Sequence, residues 1–241
     1  VFESNLLDQL IIVPSYWDEL PEQYVHDFSA NVLDRHALRR SLMSLLVSLA
    51  GVLVSDPHMD PPSVNWMHMV MRMMSQYLDT RIHQHKHLYL QTMAVQTLSY
   101  LSVSISWFQI QDTTELDSLL STFRQACRLT LLLLQSDSVI GYQLCNYLII
   151  FLSNVGTIFC YQQLSWISDD AVSVCRLLLD SDSLSRRAFA FHILSEALVN
   201  HEDCTTIFSP NQILPQAVSK ASSNMLNPKV DTTIREQSAV L

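Results

Sequence analysis

Glycine is scarce in this sequence, which has 241 residues but only three glycines, Gly51, Gly141 and Gly156. Glycine-rich loops cradle phosphate groups in nucleotide-binding proteins, and tight turns between strands commonly need glycine. The scarcity therefore excludes a glycine-rich phosphate loop and disfavours a sheet-and-turn protein. The sequence also lacks the Gly-x-Ser-x-Gly and HExxH motifs, so we assign no catalytic residue and expect a protein that is not an enzyme.

Charged residues are also few, at 15% of the chain, and the formal net charge is −9. Nucleic-acid binding without sequence preference needs a basic stripe that releases counterions from phosphates. The longest basic runs are the pairs Arg39-Arg40 and Arg186-Arg187. We therefore expect no nucleic-acid partner.

Cysteine occurs in an odd number that does not fit a disulfide framework. The five are widely spaced and lie mostly in apolar helical patterns: Cys127, Cys145, Cys160, Cys175 and Cys204. This usage predicts reduced core thiols in an intracellular protein, cytoplasmic or nuclear. A catalytic thiol would need a base in an electropositive pocket. Only His192 and His201 lie near cysteines in the sequence, so we prefer buried or incidental thiols.

Histidine clusters once, in the segment HQHKH, which carries His83, His85 and His87, with His58 and His68 nearby in sequence. Structural zinc takes four ligands and usually includes cysteine. Because no cysteine precedes Cys127, we interpret these histidines as solvent-exposed residues of a polar loop. We expect no metal and no cofactor.

The sequence does contain a series of apolar segments with helical spacing, separated by short breaks rich in Pro, Ser or Asp. One side of the segment 34–54 carries Leu38, Leu42, Leu45, Leu49 and Leu53, and one face of the segment 88–107 carries Leu90, Ala94, Leu98 and Leu101. Further helices are predicted at 63–79, 113–134, 139–161, from the cap Ser168 to Leu179, at 183–200, at 211–222 and from about 230. Residues 1–33 are interpreted as a short helix at 5–12 and an aromatic packing segment.

Two of these helices allow a second interpretation. The methionine-rich stretch 63–74 is interpreted as core filling, with an adaptable binding groove as the alternative. Residues 138–168 contain no charged side chain, and the stretch from Tyr142 to Tyr161 is long enough to span a bilayer. Its polar residues and the absence of flanking Lys or Arg favour a covered helix in the middle of an array. We expect no membrane insertion, and a membrane-associated helical protein remains an alternative.

The helical segments recur at a nearly fixed spacing. The second helix of each pair is predicted to begin near Arg39, Lys86, Ser138, Ser185 and Thr233, at intervals of roughly 47 to 52 residues. The copies share a similar nine-residue segment: LLVSLAGVL from Leu45, TLSYLSVSI from Thr97, LIIFLSNVG from Leu148 and ILSEALVNH from Ile193. This pattern predicts an all-α superhelical array, with an irregular helical bundle as the alternative.

Two segments resemble armadillo or HEAT repeats. They are the clearest copy, SLSRRAFAFHILSEALVNHEDCTTIF from Ser183, and a similar segment, LNPKVDTTIREQSAVL from Leu226. The segment FLSNVG, residues 151–156, also resembles the third helix of an importin-type armadillo repeat. In that family the matching asparagine, here Asn154, clamps a peptide backbone. The family places a tryptophan four residues before this asparagine, where the present sequence has Ile150. The residue four before Asn200 is Glu196. The resemblance covers about three quarters of the chain.

These observations predict a single armadillo/HEAT-like α-solenoid domain over residues 1–241, with four to five helix pairs between residues 34 and 241. We expect a scaffold or adaptor that binds a helix or extended peptide of another protein within a larger assembly. The binding candidates are Asn154, Asn200, Arg186 and Arg187. Because the chain starts at Val1 and ends in an apparent helix, we interpret it as a piece of a larger polypeptide, which is itself an expected partner. A regulatory segment of a larger enzyme is the alternative.

Overall fold

A computed structural model describes residues 32–55, 64–79, 88–104, 113–135, 139–161, 168–200, 213–227 and 235. These residues are all-helical and contain no strand. Their eight α-helices are α1 (Val32–Ser55), α2 (Val64–Ser75), α3 (Leu88–Ser104), α4 (Thr113–Leu134), α5 (Val139–Tyr161), α6 (Asp169–Leu179), α7 (Leu184–Asn200) and α8 (Ile213–Leu226), with a 3₁₀ turn at Gln76–Leu78. The all-α fold class is therefore confirmed.

The predicted helices agree closely with the observed bounds. Helices α4 and α5 have the predicted ends, and the 63–79 segment divides into α2 and the 3₁₀ turn. Helix α8 continues to Leu226, four residues past its predicted end at Ser222. Ser168 caps α6 as predicted, because its Oγ accepts a hydrogen bond from the Ala171 N–H at 3.3 Å. The predictions for residues 1–31, the proline-rich break, the HQHKH loop and the last helix, except for the helical Arg235, lie outside the described residues.

The chain divides into two compact units. The first unit comprises residues 1–105 and 109–118, and the second unit comprises residues 106–108 and 119–241. In the first unit α3 packs against α1, α2 and the 3₁₀ turn, whereas in the second unit α7 packs against α5 and α6, and α8 packs against α6. The prediction of one α-solenoid domain stays a prediction.

The core of the first unit corrects one detail of the predicted helix faces. The four α3 residues expected on one face, Leu90, Ala94, Leu98 and Leu101, are all buried. Among the α1 side chains that the structure describes, however, Met43, Leu46 and Ala50 are buried, while Leu45 of the predicted leucine stripe is 49% exposed. Because α1 carries apolar residues around its whole circumference, its leucine spacing does not single out the face that packs.

Methionine fills much of this first core. Met67, Met71 and Met74 of α2 are buried together with Met43 of α1 and Met93 of α3. Core filling is therefore the correct interpretation for these three α2 methionines, and Met69, at 40% exposed, lies on the opposite side. The buried side-chain amide of Gln91 in α3 donates a 2.8 Å hydrogen bond to the Tyr77 carbonyl, so this buried polar group has an acceptor.

Phenylalanine fills the core of the second unit. Phe123, Phe151, Phe159 and Phe191 are fully buried, and the rings of Phe123 and Phe159 meet edge-to-face with centroids 5.5 Å apart. Gly156 lies beside this pair, close enough that a Cβ there would come within 3.8 Å of the Phe123 ring. Buried hydroxyls find acceptors within their own helices, as where Thr130 Oγ1 donates to the Ala126 carbonyl at 2.7 Å.

Candidate protein-binding surfaces

Arg187, one of the predicted binding residues, is occupied in holding the turn between α6 and α7. Its Nη1 donates a 2.9 Å hydrogen bond to the Ser181 carbonyl, six residues earlier. Such a bond satisfies a carbonyl just beyond the end of α6 and fixes the entry into α7. The local structure therefore gives Arg187 an architectural role.

Arg186, its neighbour, faces a different group. The central carbon of its guanidinium lies 4.1 Å from the centroid of the Tyr142 ring, so a side chain of α7 stacks on the first turn of α5. Tyr142 as a residue remains 48% exposed. This geometry is a cation–π contact, worth about 0.5–1 kcal/mol at an exposed site. The result is a positive charge displayed beside an accessible aromatic ring, which we call the Arg186–Tyr142 site.

The two predicted asparagines do not join this site. Asn154 is half-buried and lies twelve residues beyond Tyr142 in α5, about 18 Å along the helix axis. Asn200 is the last residue of α7, and its side chain lies outside the described residues. It follows Arg186 by fourteen residues, about 21 Å along α7. The four predicted binding residues therefore do not form one cluster.

A second surface runs along the outward side of α1. Leu45 and Val52 are each 49% exposed and stand seven residues apart, with the exposed residues Ser41, Ser48 and Ser55 between and beyond them. A spacing of three, four and seven residues places all five on one helix face. Residues 41–55 include no charged side chain, and the Ser55 hydroxyl bonds back to the Gly51 carbonyl at 2.7 Å. We call these five residues the serine–aliphatic stripe.

Sequence reasoning missed both Tyr142 and the serine–aliphatic stripe. For the stripe a signal was present, because Ser41, Ser48 and Ser55 recur every seven residues in a segment, 41–55, that has no charged side chain. For Tyr142 no signal in the sequence indicates its partner, since Arg186 lies on another helix two elements later.

The described thiols have the properties of core residues. Cys127, Cys145 and Cys175 are free and buried, as predicted, while the side chains of Cys160 and Cys204 lie outside the described residues. Burial raises the pKa of Cys145 to about 11 and that of Cys175 to about 12, and it also raises the pKa of Cys127 well above its ordinary value. These thiols stay protonated at neutral pH, a state that opposes nucleophilic attack.

Most of the histidines considered above as metal ligands are not described by the structure. His58, His83, His85 and His87 lie outside the described residues. His68 belongs to α2, where its Nε2 lies 3.2 Å from Glu115 Oε2 at the start of α4. In the described part of the chain, no group of three or more His, Cys, Asp or Glu side chains is placed to hold a metal ion.

One described helix is long and apolar enough to cross a membrane by length and composition. This stretch of α5, Gly141–Phe159, has a mean hydropathy of 1.2, and 61% of it is buried inside the protein. A buried core helix meets the same criterion, so its hydropathy is weak evidence for either environment.

In comparisons with known proteins, no protein-family model, no curated protein and no solved structure matches this chain.

Proposed function

We propose that this chain is a non-enzymatic scaffold that binds another protein through the surface of an armadillo or HEAT-type helical array. Packing between near neighbours in the chain supports the array. Within each unit, the helix pairs that pack most closely are adjacent in order or separated by a single helix, such as α2 with α3 and α5 with α7. Helical repeats bury their apolar faces in this way.

The helix starts also fit a repeating unit of the proposed length. Helices α3, α5 and α7 begin at Leu88, Val139 and Leu184, which are roughly 45 to 51 residues apart. HEAT and armadillo repeats have lengths of about 40–47 residues. The interval of the described helices is therefore compatible with one helix group per repeat.

The serine–aliphatic stripe carries the proposal of protein binding. Large apolar side chains that are exposed singly are normal on protein surfaces. Here two of them share one face with serines and without a charged residue over 15 residues of α1, Ser41 to Ser55. A protein partner would remove Leu45 and Val52 from water without having to desolvate a charge. The stripe has the chemistry of a contact surface for an apolar helix or peptide.

The test is affinity capture from native cell extract with the wild-type chain and the double variant Leu45→Ser/Val52→Ser. The wild type is expected to retain a stoichiometric protein that resists salt washing, and the variant to retain it about tenfold less, because the lost apolar burial is worth about 1–3 kcal/mol. Val103→Ser is the matched control, since Val103 is 54% exposed on α3 of the same unit. Equal capture by all three proteins would contradict binding through the stripe.

A further inference from the structure

Arg186 has no acidic partner among the described residues, whereas two other cations of the second unit do. Arg128 Nε lies 3.0 Å from Asp170 Oδ2, and Lys220 Nζ lies 3.7 Å from Asp180 Oδ1. Among the described residues, no carboxylate lies within ion-pair distance of Arg186, and its Nε is buried without a hydrogen-bond acceptor. In a chain with a net charge of −9, this guanidinium is a local positive charge that no described carboxylate neutralises.

Helix α5, which carries Tyr142, contributes no competing carboxylate. The whole segment 138–168, which includes α5, has no charged side chain, so no acidic group of this helix repels or replaces an incoming carboxylate. Asn146 is exposed one turn after Tyr142 and adds an amide to the same region of the helix surface. The Cys145 thiol between them also reflects the charge: burial raises its pKa, and the nearby Arg186 guanidinium partly opposes that rise.

The aromatic ring adds a second means of recognition. Tyr142 is 48% exposed, with the guanidinium stacked 4.1 Å from the ring centroid. An arginine held by a ring loses less conformational freedom on binding than a free one, and its N–H groups can pair with both oxygens of a carboxylate. The exposed part of the ring can pack against the methylene groups of the ligand. Arginine and tyrosine are also enriched among residues that dominate binding energy at interfaces.

We propose that the Arg186–Tyr142 site docks an aspartate or glutamate side chain of a peptide segment in the partner protein. The inference rests on the proposed scaffold function and narrows the partner to one with an acidic contact segment. Arg186 supplies the charge, Tyr142 holds the guanidinium in place, and Asn146 lies within one helical turn for a polar contact with the bound chain. The serine–aliphatic stripe belongs to the other unit and is a separate surface with its own test.

The experiment is selection of a display library of random 12-residue peptides on the 241-residue chain, followed by affinity measurements on the enriched sequences. The expected result is enrichment of peptides with a required Asp or Glu, whose replacement by Asn or Gln weakens binding about tenfold. Arg186→Gln should weaken binding of the acidic peptides by a similar factor and flatten its salt dependence. Arg186→Lys should recover part of the loss, because it keeps the charge but not the planar fork.

Arg124→Gln is the matched control, because Arg124 is an exposed arginine on α4 of the same chain. Its peptide binding should equal that of the wild type, and thermal melts should show that the Arg186 variants remain folded. Enriched peptides without an acidic requirement, or equal binding by Arg186→Gln and the wild type, would overturn the inference and leave the scaffold proposal standing. Failure to enrich any peptide would also overturn it, whereas the scaffold proposal is decided separately by capture through the serine–aliphatic stripe.

Discussion

The two units of this chain fill their cores with different kinds of side chain. The largest fully buried residues of the first unit are aliphatic, namely Leu46, Met67, Met74, Leu78 and Leu98, whereas those of the second unit are Phe123, Phe151, Phe159 and Phe191. Methionine is unbranched and adapts to irregular spaces, while aromatic rings prefer defined mutual angles. The described helices are thus held together by adaptable packing in one unit and by aromatic ring packing in the other.

The surfaces of the two units differ as well. The first unit shows the uncharged serine–aliphatic stripe, and the second shows the Arg186–Tyr142 site together with the ion pair of Arg128 and Asp170. Surface ion pairs of this kind contribute little to stability, at most about 1 kcal/mol. Most of the stability of either unit therefore comes from the buried side chains, where the difference between the units can be tested.

The largest effect is expected from core substitutions. Phe123→Ala should lower the free energy of unfolding by about 3–5 kcal/mol, because it removes the ring that meets Phe159 and leaves a cavity. Met74→Leu should cost less than about 1.5 kcal/mol, because volume is nearly conserved and the side chains around it can adjust. Phe123→Leu should fall between the two. Urea unfolding curves measure all three, and a Met74→Leu cost as large as that of Phe123→Ala would remove the distinction between the cores.

Alkaline pH should destabilise the second unit through its buried thiols. The pKa of Cys145 is raised from 9.0 to about 11, mainly by burial. An unfolded chain loses this thiol proton near pH 9 while the folded chain keeps it, so the stabilisation is complete below pH 9 and is lost as the pH rises toward 11. At pH 10.5 the loss amounts to about 2 kcal/mol for this one group.

The measurement for the thiol is urea unfolding at pH 8 and at pH 10.5 for the wild type and Cys145→Ala. The variant should lose less stability between the two pH values than the wild type, because alanine has no proton to lose. The substitution also lowers the free energy of unfolding through lost packing. That loss is the same at both pH values, so it cancels when the change with pH is compared. Parallel losses in both proteins would show that Cys145 is solvated in the folded chain.

The smallest effect is expected at two of the helical glycines, Gly51 in the first unit and Gly156 in the second. A Cβ at Gly51 would lie 3.6 Å from the Tyr100 ring, and one at Gly156 would lie 3.8 Å from the Phe123 ring, both ordinary contact distances. Alanine favours the helix over glycine, so Gly51→Ala and Gly156→Ala should each raise the free energy of unfolding by about 0.5–1 kcal/mol. Thermal melts measure the gain. A loss at Gly156 alone would indicate that the aromatic core is the less tolerant of the two.

The sequence predicts the helices of this fold better than their contacts. The bounds of α4 and α5 and the Ser168 cap follow from local rules, because caps and breaks depend on residues close in the chain. The buried face of α3 also follows from its pattern. The packing face of α1 does not, because with apolar residues on every side the choice of Met43, Leu46 and Ala50 depends on the helix opposite.

The candidate sites also depend on contacts that the sequence does not predict. Arg186 and Arg187 attract attention as a basic pair in an acidic chain, yet their roles differ because of partners on other segments. Arg187 hydrogen-bonds the Ser181 carbonyl, whereas Arg186 stacks on Tyr142 of another helix. Only the packing of α5 against α7 brings Arg186 and Tyr142 together, and no local sequence pattern predicts that contact. Functional assignment therefore depends on tertiary contacts that the repeat pattern leaves open.

The proposed scaffold function requires that the serine–aliphatic stripe of α1 binds another protein. Hydrogen–deuterium exchange of the chain, alone and with its captured partner, tests it most directly. We expect slower exchange over residues 41–55 in the complex, because the partner covers the side of the helix that carries Leu45 and Val52. Unchanged exchange in this segment, with slowing confined to other helices, would contradict the claim.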